Sequence, residues 1–485
     1  MIKAIRPKFK LLSDDFIVKI IEEACCILEK EGVFVENEEV LNLFKEAGME
    51  VTKSNKRVFI KRKLIEDSLS STPSLIKLYD RSGHKQFIIG GDQVHFAPGS
   101  TAVTIFDHKT QEQKKALTED LIRFTRLTDC LEYIHFQSTA IISGDVSGII
   151  SDCYRLFIGL QFSEKPIVTG TFRVEGFKPM RDMLIAIRGS KDALERKPLA
   201  IFDACPSPPL KWSNLTSQSL IDCARAGIPS ELISMGMTGA TSPVTIGGTL
   251  VQHVAENLSG LVICQLAKKG APVIFGGSPS VFDMRKGTTR IGAIETMMID
   301  SAYIQIAKYL NLPTHAYMGL SDTKSNDNQA GFESGIGIIL SALSGINVIS
   351  GPGMMDFESC QSIEKLVIDN EICGMAYRLI DGISQRDEPI AVDLFKDITQ
   401  ESQFLSVPHT RKWYRKELTF PKLIDRDTYD YWINSRKKSI ADRAYEEVGR
   451  LIKENPSSSL DKNIRVELKK IMNRYAQDSE ISSFK

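Results

Sequence analysis

The sequence predicts an α/β protein built on a (β/α)8 barrel, and three observations carry that prediction. Eight short apolar, β-rich runs recur about every 35 to 40 residues. Helical stretches lie between most of them, and alternating strands and helices imply a parallel sheet. No G-x-G-x-x-G turn follows the first run, as a doubly wound dinucleotide fold would require.

The runs are QVHFAPG near residue 96, EYIHFQST near 134, KPIVTGTF near 168 and LAIFDACP near 201, followed by ELISMGMTG near 233, APVIFGGSP near 273, PTHAYMGLSD near 315 and INVISGPGM near 348. GGTLVQHVAENLSGLVICQLAKKG sets Leu250, Val254, Leu258 and Leu261 along one helical face and ends at Gly270. GAIETMMIDSAYIQIAKYL stops before Pro313, and SCQSIEKLVIDNEICGMAYRLIDGI is a long helix after the eighth run. Insertions make this barrel larger than the usual ~250 residues.

Residues 1–91 read as an N-terminal α+β region, 92–385 as the barrel and 386–485 as a charged helical extension packed outside it. In the first, SDDFIVKIIEEACCILEKEG opens on an N-cap serine with two acidic residues and stops at Gly32. NEEVLNLFKEAG repeats that pattern, and SLIKLYDRSGHKQFIIGG reads as a hairpin turning near Ser82-Gly83. The last dozen residues are expected to fray.

Lysine plus arginine and aspartate plus glutamate balance at 61 each, which favours neither nucleic acid nor an anionic membrane and leaves a small uncharged or zwitterionic substrate open. The nine cysteines form no C-x-x-C pair, so reduced buried thiols are expected, in a cytoplasmic protein. The N-terminus lacks the apolar stretch of a secretory signal. Gly335 to Met355 is uncharged and about long enough to span a bilayer, but its glycines, proline and asparagine read as a buried helix followed by a buried strand.

Barrel enzymes place their chemistry at the C-terminal ends of the strands. Reading just past each run gives Gln137, Phe172, Asp203, Phe282, Asp283, Arg285, His315 and Tyr317 as candidate substrate contacts, from a longer set of strand-end residues that also holds Ser138, Cys205, Ser278, Asp322, Lys324, Ser350, Asp356 and Glu358. H-E-x-x-H, P-loop and G-x-S-x-G signatures are absent, and the seven histidines are scattered. A zinc site from Cys205, Cys360, Cys373 and His315 is not required by any spacing, and no metal is assigned. Lys324 could form a Schiff base, against the plainer reading of a solvated loop lysine. Asp283 and Arg285 could pair with each other instead of with substrate. GGSPSVFDMRKGTTR, Gly276 to Arg290, puts two glycines after the sixth run but lacks the Lys-Ser/Thr of a phosphate loop. The glycines are therefore expected to let backbone approach a small substrate or a cofactor.

Four stretches carry a resemblance: APVIFGGSPSVFDMRKGTT, PTHAYMGLSDTKSNDNQAGFESG, GINVISGPGMMDFESCQSIEKLVIDNEICG and GGTLVQHVAENLSG. In their order along the chain they resemble the trimethylamine methyltransferase (MttB) superfamily, over about Phe96 to Ile383. The resemblance implies a (β/α)8 barrel that moves a methyl group from an amine to the Co(I) corrinoid of a separate small protein. Trimethylamine enzymes of the superfamily carry pyrrolysine inside the barrel, for which the loop after the seventh run, around Gln329 to Glu333, is the expected place. This chain has only the standard residues, so it resembles the branch acting on quaternary amines such as glycine betaine. No D-x-H-x-x-G corrinoid motif occurs, so the cofactor is expected on the partner protein, and a homo-oligomer is expected. A quaternary ammonium needs an aromatic box and a countercharge, for which Phe172, Phe282, Tyr317, Asp203 and Asp283 are the candidates. A betaine carboxylate would take donors from glycine-loop amides, His315 or Arg285. The alternatives are a Schiff-base lyase using Lys324 and a quaternary-amine binding protein without catalysis.

Overall fold

The computed structural model describes residues 4–52, 54, 56–396, 398–455 and 460–479. All eight apolar runs contain a strand: β1 His95–Ala97, β2 Gln137–Ser138, β3 Ile167–Gly170, β4 Ala200–Ala204, β5 Ser230–Ser234, β6 Val273–Gly277, β7 His315–Ala316 and β8 Val348–Ser350. They lie in two parallel sheets, one in the order β6-β5-β4-β3-β2 and one in the order β7-β8-β1. Parallel bridges join Phe96 to Ile134 and Phe275 to Thr314, so the sheets meet at both of their junctions. The result is a TIM-barrel-like ring in which sequence neighbours are spatial neighbours.

One helix follows each strand: α1 Thr118–Cys130, α2 Ser151–Phe162, α3 Phe177–Arg188, α4 Asn214–Ala226, α5 Ile246–Ala267, α6 Ile294–Tyr309, α7 Asn328–Ser344 and α8 Ile363–Ile380. Their starts and stops obey local rules. The Thr245 and Asp327 side chains accept backbone N–H groups at the starts of α5 and α7, and Gly227 and Gly345 end α4 and α7 in the left-handed region. α5 is buried on every side from Thr249 to Gln265. The helices Asp14–Lys30 and Arg62–Ser71 cover its outer surface, which explains why no side of it faces solvent. The uncharged Gly335–Met355 stretch is the end of α7 and then β8, as read from its composition. Among the described residues no helix is long and apolar enough to cross a membrane.

The N-terminal hairpin forms as expected, with strands Ile76–Tyr79 and Gln86–Ile89 joined through Gly83 at φ +76°. It plugs the ring from below. Its Ile76, Leu78, Phe87 and Ile89 pack against Ala97, Phe136, Val168, Ile201, Ile274 and Val348 of the ring. The C-terminal helices Ile440–Glu454 and Lys462–Asp478 lie outside, on α8 with α1 and on α3 with α2 respectively. The expected fraying is not found as far as the helix goes. It continues to Asp478, and the Tyr475 hydroxyl donates to the Ile149 carbonyl at 3.3 Å. Residues 480–485 lie outside the described residues.

Candidate active site

Side chains alternate across a strand, so residues two beyond the apolar plug layer also face the interior. From Phe136, Ile201 and Val348 that step gives Ser138, Asp203 and Ser350. From Ala97, Val168 and Ile274 it gives Gly99, Gly170 and Gly276. The interior thus changes within one layer from apolar to polar. Glu231 joins this layer, because its Cα pairs in register with that of Asp203. His315 joins from β7, its Nδ1 lying 2.7 Å from Glu231 Oε1 without the alignment of a hydrogen bond. Gly276 is needed here: a Cβ on it would stand 2.9 Å from His315 Cβ. On Gly277 a Cβ would stand 2.3 Å from His253 Cε1, whose ring stacks on Tyr303 at 4.1 Å. The two glycines of the sixth run therefore make room for histidine rings, a packing role that their sequence context did not suggest.

Above this layer stand Tyr317, edge-on to His315 at 4.9 Å and 85°, and Cys205. Glu358 enters from the loop after β8, where its Oε1 accepts the Ser278 hydroxyl at 3.3 Å. It sits on three successive non-glycine residues in the left-handed region, Asp356, Phe357 and Glu358, at φ +50°, +54° and +67°. Each such residue costs roughly 1–2 kcal/mol, so the turn persists only where surroundings hold it. Lys324 is the main support. Its ammonium lies 3.2 Å from Asp356 Oδ1 and 3.7 Å from the Phe357 ring centroid, and donates to the Asp322 carbonyl at 2.6 Å. Gln113 Nε2 adds a bond to Asp356 Oδ2 at 3.1 Å. This exposed, paired lysine is a brace and not a desolvated amine, which removes the support for a Schiff-base lyase.

The layer is rich in polar atoms that make no hydrogen bond among the described residues. Asp203 Oδ1, both Glu231 carboxylate oxygens, both His315 ring nitrogens and Ser350 Oγ are buried without a hydrogen-bond partner. Asp203, Cys205 and Glu358 lie deep yet keep accessible surface, so they line open internal space. Burial, reinforced by the Glu231 charge, pushes the Asp203 carboxyl well above its ordinary value, and burial does the same to Glu231. Glu358 is pushed up to about 7 and Asp322, at the rim, to about 6, both mainly by burial. Burial also pushes Cys205 up to about 12 and His315 down to about 3. Burial thus biases the Asp203, Glu231 and Glu358 carboxyls toward the protonated form beside a neutral imidazole, and an arriving cation favours their ionisation.

Of the eight sequence candidates, the structure brings Asp203, His315 and Tyr317 together. Phe172 lies at the edge of the group, beneath the guanidinium of Arg155, whose carbon is 4.3 Å from the ring centroid. Gln137 is turned the other way, and its Nε2 donates to the Thr125 carbonyl of α1 at 3.1 Å. Phe282, Asp283 and Arg285 belong to a rim hairpin, Ser280–Asp283 with Thr288–Arg290. There Asp283 binds Arg285 Nε at 3.2 Å and also the Arg290 guanidinium, and these two cations hold its carboxyl below the usual carboxylate range. Asp283 is thus already neutralised and unavailable as a countercharge, and Arg285 points into solvent. Sequence reasoning missed Glu231 and Arg155. The signal for each was a charged residue inside an otherwise apolar run.

Comparison with known proteins bears on what this chamber does. The model of the family described as trimethylamine methyltransferase (MTTB) matches residues 1–479. The trimethylamine methyltransferase MttB of Desulfitobacterium hafniense is 33% identical over 460 residues, covering 95% of this chain and 92% of that protein. The chain belongs to the trimethylamine methyltransferase (MttB) family. A glycine betaine methyltransferase of Desulfitobacterium hafniense is 30% identical over 432 residues, covering 89% of this chain and 90% of the relative. The crystal structure of the monomethylamine methyltransferase MtmB from Methanosarcina barkeri matches in fold, with a TM-score of 0.50 at 13% identity, covering 92% of this chain and 96% of that one. This family member is a methyltransferase, and its sequence holds no pyrrolysine.

Proposed function

We propose that this methyltransferase removes a methyl group from a quaternary amine of the betaine type and passes it to the corrinoid of a separate small protein at the open end of a (β/α)8 barrel. One observation carries the reading: Asp203 and Glu231 stand side by side, and among the described residues their buried carboxylate oxygens Oδ1, Oε1 and Oε2 accept no hydrogen bond. A quaternary ammonium has no N–H to donate, so it is held by charge and by aromatic faces. Unbonded carboxylates beside the Tyr317 ring offer both.

When bound, the partner's cobalt would supply the nucleophile. The chain's own residues bind, orient and exclude water. Expulsion of a tertiary amine needs no proton at the breaking bond, so neither the protonation state of Glu358 nor a neutral His315 is an obstacle. An entering cation favours the ionised forms of Asp203, Glu231 and Glu358, any displaced proton passing to solvent, and the attraction is strengthened by the low dielectric of the interior. The mouth suits a protein visitor. Val103, Met235, Val244 and Met284 are exposed apolar side chains on loops after β1, β5 and β6.

We also propose that residues 1–91, 92–385 and 386–485 are regions of one folding body and not separable domains. Buried side chains from Ile17 to Ala476 join a common core. The decisive experiment incubates the protein with glycine betaine, other quaternary amines or trimethylamine, together with a reduced corrinoid protein. Formation of the demethylated amine, measured by NMR, with a matching change in the corrinoid's visible absorbance, is the expected result for a quaternary amine. Turnover of trimethylamine in preference to every quaternary amine overturns the substrate class.

A further inference from the structure

Arg155 sits in α2 and is 2% exposed. A guanidinium carries five N–H donors in a rigid fork. Among the described residues it makes one hydrogen bond, from Nη1 to the Thr139 carbonyl at 2.6 Å, and Nε has no partner there. No carboxylate lies within the 4.0 Å of an ion pair among the described residues. Neighbouring Asp152 is committed elsewhere. Its Oδ1 accepts the Cys153 N–H at 2.8 Å and its Oδ2 the Phe172 N–H at 2.9 Å. Phe172 stacks under the guanidinium and fixes its plane. Both residues that hold it, Thr139 and Phe172, lie just past the C-terminal ends of β2 and β3, the end of the ring at which Asp203 stands on β4, and the Asp152 charge and then that of Asp203 act on it. A buried cation left with one hydrogen bond is unfavourable unless a further partner meets it.

We propose that Arg155 receives the carboxylate of the substrate, so that the chamber reads a zwitterion at both ends, with Asp203, Glu231 and Glu358 facing the ammonium. A carboxylate matches the free edge of the fork, which can engage it through two parallel N–H bonds. A doubly charged phosphate would face three acidic groups in the same chamber. Burial lowers Arg155 only to about 10, so it remains a cation at neutral pH. The role replaces the carboxylate donors expected from the sequence, since His315 is neutral and beside Glu231 and Arg285 is held by Asp283 outside. The assignment takes its substrate from the betaine reading but is tested by binding alone.

Calorimetric titration of the full-length protein with three probes separates the charges. Glycine betaine carries both, 3,3-dimethylbutyrate is its carbon isostere with the carboxylate only, and choline has the ammonium without a carboxylate. In Arg155→Met, binding of glycine betaine and of 3,3-dimethylbutyrate is expected to weaken about 10- to 100-fold. Choline should change less than about threefold, which also reports that the chamber is folded. Arg155→Lys should recover part of the loss, because it restores the charge without the fork. Equal weakening of all three probes, or no weakening of the two carboxylates, in either variant overturns the proposal. If the carboxylates depend on Arg155 but the native protein demethylates no amine, the methyl-transfer reading falls and the carboxylate site stands.

Discussion

At the plugged end of the ring, His95 Nδ1 faces His135 Nδ1 at 3.0 Å and its Nε2 meets the Ile88 carbonyl at 2.9 Å. The Tyr377 hydroxyl donates to the Val94 carbonyl at 2.9 Å, and Lys165 Nζ donates to three carbonyls, of Thr128, Leu131 and Ile134. At the open end, His315, Glu231 and Asp203 are as deeply placed and leave buried ring nitrogens or carboxylate oxygens unbonded. The residue types are alike and the same ring carries both sets. Where a buried polar group serves the fold, its partners come with it, because an unmet donor or acceptor costs roughly 1–3 kcal/mol. Where Asp203, Glu231 and His315 lack such partners, the proposed reading has the substrate supply them.

The contrast can be broken by experiment. Asp203→Asn or Glu231→Gln keeps the shape but cannot ionise. Either should lower kcat/KM for a quaternary amine about 100-fold or more without lowering the melting temperature, since a buried acid is replaced by a neutral isostere. An unchanged kcat/KM would place the cation elsewhere. Glu358→Gln should act through pH. Above about 7 Glu358 ionises and favours a cation, so native affinity should rise from pH 6 to 8, and the variant should lose that limb. The sign for stability is opposite. Between the ordinary carboxylate value and about 7 the folded protein holds a proton that the unfolded chain has lost, so this group's contribution falls as pH rises. Glu358→Gln should therefore melt a few degrees higher than the native protein at pH 8 but not at pH 5.

Lys324→Ala should relax the left-handed turn and cost about tenfold in kcat/KM, with recovery in Lys324→Arg, and borohydride should trap no adduct in the native protein. At the plugged end the pattern inverts. Lys165→Met leaves three carbonyls unmet and should lower the melting temperature by about 5 °C while KM stays unchanged. Smallest of all, Asp283→Asn should alter kcat/KM less than about threefold, because its partners are the hairpin's own arginines.

The strands were legible because each is a short apolar run bounded by turn residues, and the capped helices between them leave few other ways to bury those runs. Asp203, His315 and Tyr317 were legible because strand ends in such a ring face a common space. Gln137 was misjudged by one residue of alternation. Phe136 faces in, so its neighbour must face out, and only the register shows which. Glu231 escaped because the search began after each strand, whereas it is the second residue of β5, brought level with Asp203 by the stagger of neighbouring strands. Arg155 escaped because a helix cation usually reaches solvent. Its fate depends on Thr139 and Phe172, which lie 16 and 17 positions away on opposite sides. The rim hairpin misled for a related reason, since pairing among Asp283, Arg285 and Arg290 is a tertiary fact.

The hairpin of Phe87 beneath the ring has a kinetic consequence. A vessel stoppered at its base is filled and emptied through its neck, and in the proposed reaction that neck is also where the methyl acceptor docks. The small molecule must then go in first, and its demethylated remnant stays trapped until the visiting protein lifts away. Turnover should follow a compulsory order with the amine leading, and an excess of the acceptor protein should slow the enzyme by corking its own exit.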